Sequence, residues 1–183
     1  MGFINRTVGK ILTRHWTSKD IEKYIGSYSA SFLAYARDDE LRSHSASGGA
    51  VSAMLINALE QGLIDGALVS KTVIDSGRVR GEFFIATTRD EILSAQGSIY
   101  VEMKFGREAL PLISNFPGKV AIVGLPCQID IMRRHLKRNN LVKEKTVCLI
   151  ALVCGHSSQK QLIDDFTVSL EQRVKNKLQA FHF

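Results

Sequence analysis

Two cysteines stand where chemistry would be expected in this chain. Lys119 to Gln128, KVAIVGLPCQ, and Thr146 to His156, TVCLIALVCGH, are short apolar runs rich in Val, Ile and Leu. Each ends in a turn carrying a cysteine, Cys127 or Cys154, and polar, helix-compatible sequence follows. A continuous apolar run bounded by turn signals predicts a strand buried on both faces. Ligands of open α/β sheets gather beyond the carboxyl ends of the strands. Cys127 and Cys154 are therefore expected on one edge of a sheet, as a candidate redox or metal site. Cys148 lies six residues before Cys154 in the same strand. At ~3.3 Å per residue the two would be about 20 Å apart, too far to share one small cluster. It is read as an inert core thiol, since free cysteine is among the most buried residue types.

Pro126-Cys127-Gln128 admits several readings. A cysteine at a helix start has its thiolate stabilised by the helix N-terminus, which suits a nucleophile or a metal ligand. The alternative is a cysteine packed into a strand-to-helix turn. The tripeptide also resembles the catalytic loop of cytosine-C5 DNA methyltransferases. No glycine-rich adenosylmethionine loop precedes it, however, and 183 residues leave no room for target recognition. Iron–sulfur clusters usually take four protein ligands. With two well-placed cysteines, and His156 read as a surface residue, the ligand set within this chain is expected to be incomplete.

A second candidate is Ser43 to Gly49, SHSASGG, directly before a strongly periodic helix. Ser47 is expected as the N-cap. Glycines at a helix start leave backbone N–H groups open to a phosphate, favoured there by the helix dipole. An ordinary capped turn, with glycines permitting close packing, explains the same residues.

The elements that must position these residues follow from periodicity and turn signals. Residues 1–29 form an N-terminal segment, basic over 1–17, with Ile4, Val8, Ile11 and Leu12 at helical spacing, and a short capped helix ends near Gly26. From residue 30 onward the sequence predicts one α/β domain with a single open, mainly parallel or mixed sheet flanked by helices. Strands are expected over 31–37, 66–73 and 82–87, besides the two cysteine-bearing runs. Helices are expected over 50–61, 88–96, 101–115 and 157–171, with a stop at Gly62 and a turn at Gly77. The tail RVKNKLQAFHF reads as the start of a further strand.

Composition narrows the function classes. The chain is 45% hydrophobic and 23% charged, ordinary for a globular domain. No apolar run approaches a membrane span, and no secretory h-region opens the chain. Three cysteines without a signal peptide argue for a reducing, cytoplasmic setting. The net charge is +6, concentrated in Met132 to Lys145, with Arg133, Arg134, Lys137, Arg138, Lys143 and Lys145 against Glu144. Such a run suits an acidic coenzyme or an acidic electron-transfer partner such as ferredoxin, or is a solvated helix face. The absence of interleaved aromatics argues against nucleic acid.

Four linked segments, RSHSASGGAVSAMLINALEQGLIDGALV, AQGSIY, KVAIVGLPCQI and LIALVCGH, together resemble the coenzyme F420 hydrogenase/dehydrogenase beta-subunit family over roughly residues 30 to 183. That resemblance implies an oxidoreductase: an iron–sulfur flavoprotein passing electrons between a 4Fe-4S centre, FAD and a coenzyme F420-like or other acceptor. It implies that Ser45, Ser47, Gly48 and Gly49 lie against the flavin. Ser98 and Tyr100 form a second wall, with Gln128 beside the site. Cys127 is implied as a cluster ligand and Cys154 as a second. Family members commonly carry further cysteines before or after this region. The chain ends about where the family's C-terminal half is expected to begin. A redox partner subunit or a missing C-terminal domain would then supply the rest. The alternative is a remnant without cofactors, serving in binding or assembly.

Overall fold

The computed structural model describes residues 22–23, 26–155 and 158–179. The chain divides into two compact units, Met1–Ala34 and Tyr35–Phe183. The expected basic helix over residues 1–17 lies outside the described residues. In the first unit the Gly26 N–H donates to the Glu22 carbonyl at 2.8 Å, and Gly26 is left-handed with φ +78°. This is the glycine stop that the sequence predicts. The strand expected over 31–37 is not formed. Phe32 and Leu33 are exposed, and this short run has no ladder partner among the described residues.

The second unit carries α1 (Asp39–Ser43), α2 (Ala50–Glu60), β1 (Gly66–Asp75), β2 (Arg78–Ala86), α3 (Arg89–Ser94), α4 (Phe105–Asn115), β3 (Val120–Gly124), α5 (Pro126–Leu136), α6 (Asn140–Lys145), β4 (Thr146–Ala151) and α7 (Lys160–Val174). The strands form one open sheet in the order β2-β1-β3-β4. The β1–β2 pair is antiparallel, while β3 runs parallel to both β1 and β4. The architecture is thus α/β with a single mixed sheet, as predicted. A two-residue turn, Ser76 at φ 51° and Gly77 at φ 71°, closes the β1–β2 hairpin. Paired positive φ values match the right-handed twist of the flanking strands.

Alternation along the central strands builds a core on each face. Ala67, Val69 and Ala121 point to one side with Leu55, Ile56 and Ile92, so α2 and α3 cover that face. Leu68, Val120 and Ile122 point to the other with Phe105, Ile113, Ile129 and Met132, placing α4 and α5 there. Beyond them, Val79 of β2 is buried with Val101 and with Ile163 of α7. Arg80 grips Asp164 with its two terminal guanidinium nitrogens, at 2.6 and 3.2 Å, fastening α7 to β2.

Several elements depart from the sequence reading. β3 is buried on both faces as expected, but β4 is the edge of the described sheet, with Val147 half exposed. The periodicity over 50–61 places Met54 in the core, whereas the buried stripe of α2 runs through Leu55 and Ile56 and leaves Met54 outside. α4 begins at Phe105 rather than near residue 100, because Val101 instead bridges to Ser158. Residues 177–179 form no strand.

Candidate functional site

Cys127 is the second residue of α5, and the PCQ sequence has a local structural reason. Pro126 opens the helix, where its missing N–H costs nothing. Two residues later the Gln128 side chain reaches back, and its Oε1 accepts the Leu125 N–H at 2.9 Å. This is the return half of a capping box. A side chain on Gly124 would crowd that oxygen at 3.0 Å, so the strand end is fitted to the glutamine. Gln128 therefore shapes the turn that presents Cys127, and its carbonyl is already engaged. Cys127 itself is exposed.

Cys154 is also exposed and lies three residues past β4, as Cys127 lies three past β3. Gly124 and Ala151 are partners in parallel register, so both cysteines follow the carboxyl ends of neighbouring strands. The expected shared edge is present. Cys148 sits within β4 opposite Ala121, well before that edge. Contrary to the core position expected for it, Cys148 is exposed, because β4 lies at the border of the described sheet. The desolvation it does experience pushes its thiol above the ordinary value, in keeping with an unreactive role. Among the described residues no three His, Cys, Asp or Glu side chains converge on a possible metal position. His156 lies outside the described residues.

The serine–glycine loop is built differently from the expectation. Gly49, not Ser47, is the N-cap of α2, in the left-handed conformation at φ 70° and with no side-chain cap. Ser47 is exposed on the loop. The Gly48 carbonyl accepts the Ala36 N–H at 2.7 Å. A Cβ on Gly49 would lie 2.7 Å from Leu41 Cδ2, 2.9 Å from Ser45 Oγ and 3.2 Å from Ala36 Cβ. This glycine thus serves close packing within the protein as well as turn geometry. The Ser45 hydroxyl donates to the Leu41 carbonyl at 2.8 Å. It also accepts from Gln96 Nε2 at 2.8 Å.

Gln96 was not singled out by the sequence reading, although it belongs to the AQGSIY segment. Its bond to Ser45 begins a series of contacts joining the loops in question. Ser98 and Tyr100 follow Gln96, and the Tyr100 carbonyl accepts the Ser158 N–H at 2.6 Å. Val101 and Ser158 form a parallel bridge. At the start of the segment that ends at Ser158, the Leu152 N–H donates to the Gly124 carbonyl at 2.9 Å, beside the turn to Cys127. The serine–glycine loop, the 96–101 loop, the segment after β4 and the α5 turn are therefore tied in sequence.

The basic run lies elsewhere. α5 begins at the carboxyl edge and, at ~1.5 Å per residue, carries its last turn about 15 Å away. α6 then leads into the opposite end of β4. Arg134 pairs with Asp130, and Lys145 donates to the Ser114 carbonyl at 2.8 Å, closing the end of α4. Two depressions are likewise remote from Cys127. One, of about 540 Å³, is lined by the β1–β2 turn and the end of α7. The other, of about 530 Å³, lies around Asp65, Phe116 and Lys145.

The arrangement matches a known family. Residues 31–106 match the N-terminal model of the coenzyme F420 hydrogenase/dehydrogenase beta subunit, and residues 118–183 match its C-terminal model. The chain belongs to this beta-subunit family. The C-terminal match begins at residue 118, so both cysteine-bearing strand ends fall within it, earlier in the chain than the resemblance led one to expect. Among curated relatives of this beta-subunit homologue, the coenzyme F420 hydrogenase subunit beta of Methanosarcina barkeri is 31% identical over 154 residues, covering 79% of this chain and 52% of the relative. That of Methanococcus voltae is 33% identical over 113 residues, covering 61% and 40%. A solved structure of the xenon-derivatised F420-reducing [NiFe] hydrogenase complex from Methanosarcina barkeri aligns with a TM-score of 0.59 at 25% identity, over 78% of this chain and 49% of the matched one. The chain spans about half the length of these relatives. No helix among the described residues is long and apolar enough to cross a membrane.

Proposed function

We propose that this chain is an electron-transfer module of the beta-subunit type, working with a partner subunit or further domain and binding FAD at the carboxyl edge of its sheet. The observation that carries this reading is the tie from the serine–glycine loop through Gln96 to the 96–101 loop and onward to Ser158. The flavin fits the residues present. Because Gly49 supplies no side-chain cap, the first-turn N–H groups of α2 are left for an anionic group such as a pyrophosphate. Bound FAD would supply hydride and single-electron exchange. Gly48 and Gly49 allow close approach of backbone, and Ser98 and Tyr100 form the facing wall. Ser47, exposed on the loop, is the serine available to donate to a ligand. Ser45 braces the loop from within.

A 4Fe-4S centre does not fit this chain by itself. Cys127 and Cys154 provide two of the usual four ligands. The remaining ligands would come from a partner subunit or a domain beyond these residues. The same shortage favours the second reading, a scaffold used in assembly without cofactors. The exposed cations of α5 and α6 suit docking of an acidic partner, or of an acidic coenzyme, away from the flavin edge.

An anaerobic UV–visible spectrum, with iron and acid-labile sulfide assayed on the same sample, tests this. Flavin bands near ~370 and ~450 nm are expected. A spectrum that remains featureless after reconstitution with FAD, iron and sulfide would favour the assembly scaffold.

A further inference from the structure

We propose that Gln96 is the positioning residue of the flavin edge, acting through Ser45 and Leu41 on the start of α2 rather than by touching the ligand. The inference rests on the flavin reading above and deepens it.

The geometry fixes the hydrogen atoms as well as the heavy atoms. Gln96 Nε2 lies 3.1 Å from the Leu41 carbonyl and 2.8 Å from Ser45 Oγ. A carbonyl can only accept, so the Gln96 amide must direct its NH2 group inward. Both of its N–H bonds are then used within the loop. Receiving one of them, the Ser45 hydroxyl turns its own hydrogen to the same Leu41 carbonyl, at 2.8 Å. The result is a closed triangle: one carbonyl accepting two donors, and one hydroxyl with its hydrogen committed. Ser45 Oγ in turn lies 2.9 Å from the place a Cβ on Gly49 would occupy, directly beneath the N-cap of α2. Gln96 thus holds, across 51 residues of sequence, the support on which the α2 N-terminus rests. This bond joins the 96–101 segment to that loop. Losing it would free the loop from its facing wall without removing any group from the ligand surface.

Gln96→Glu is the discriminating variant, because it keeps the shape and changes only donor capacity. At neutral pH an ionised carboxylate would face the Leu41 carbonyl, oxygen against oxygen. When protonated, the acid can restore one of the amide's two donations. We expect FAD affinity about tenfold weaker than wild type at pH 8, the loss of roughly one charge-sensitive hydrogen bond. It should recover toward wild type as the pH is lowered, while the wild type shows no such step. Gln96→Leu should remain weak at every pH. Hydrogen exchange provides a readout without flavin: the amides of Ala53 and Ala36, bonded to the Gly49 and Gly48 carbonyls, should exchange faster in both variants at pH 8, with β1 and β3 unchanged. If wild type binds FAD and Gln96→Glu binds equally at all pH values, with unaltered exchange, the role of Gln96 is overturned while the flavin reading stands. If wild type takes up no FAD, the flavin reading falls. The exchange pattern then decides whether Gln96 still positions α2, and unchanged protection would remove that too.

Discussion

At the scale of single residues, the serine–glycine loop shows how one motif can serve two physical demands. Gly49 is left-handed and also crowded, whereas Gly62, at φ 65°, has nothing within 4 Å of its would-be Cβ. Both positions carry the left-handed backbone cost of about 1 kcal/mol when given a side chain. Only Gly49 adds steric overlap, of the kind that costs about 1–3 kcal/mol in a packed site. Gly49→Ala should therefore destabilise more than Gly62→Ala in urea denaturation, and it should lower FAD affinity. Equal losses would show that the crowding relaxes freely. The loop and Cys127 were legible from sequence because they are local features. The bonds that Ser45 and Gln128 make to backbone groups of their own turns were not. Gln128 might have been recognised from its place three residues after Leu125, where capping glutamines stand. Gln96 left no such signal, since its partners are remote in sequence.

Among elements, helices and the central strand were readable because their periodicity and caps are set within the element. Thr88 and Glu91 form a full capping box at α3, and the backbone N–H of Thr87, with its hydroxyl, holds the Glu91 carboxyl below its usual range. Failure came where the outcome depends on neighbours: the run over 31–37 finds no partner strand, and the apolar run of β4 lies at a border. The docking of α7 onto β2 was also invisible, as it depends on an ion pair spanning 84 residues. Arg80 holds the Asp164 carboxyl below its ordinary value of 3.8. A depressed carboxylate stabilises the fold fully above the unfolded value, and that contribution is lost as pH falls through the folded value. Asp164→Asn should cost about 1 kcal/mol near neutrality, between an exposed pair and a covered charged hydrogen bond. The difference from wild type should shrink as pH falls below ~4, where the carboxyl of the unfolded chain begins to take up its proton. A variant gap that persists unchanged at pH 3 would mean that packing, not charge, fastens α7.

For the molecule as a whole, the polarity of the sheet separates chemistry from charge. Parallel β3 and β4 deliver Cys127 and Cys154 to one edge, while the close of α5, then α6, carries the basic run toward the other. Cys148 lies between, opposite Ala121. All three thiols are exposed, so accessibility does not distinguish them. Position and desolvation do. Alkylation with iodoacetamide under anaerobic conditions, followed by mass spectrometry, should label Cys148 most slowly, because its raised thiol leaves less thiolate at neutral pH. After iron and sulfide reconstitution with the partner subunit present, Cys127 and Cys154 should become protected together. Cys148 should keep its slow, unchanged rate. Protection of Cys148 alongside the other two would contradict the spacing that the strand imposes. Labelling of Cys127 and Cys154 that reconstitution leaves untouched would remove them as ligands, and with them the reason for two thiols to stand at neighbouring strand ends.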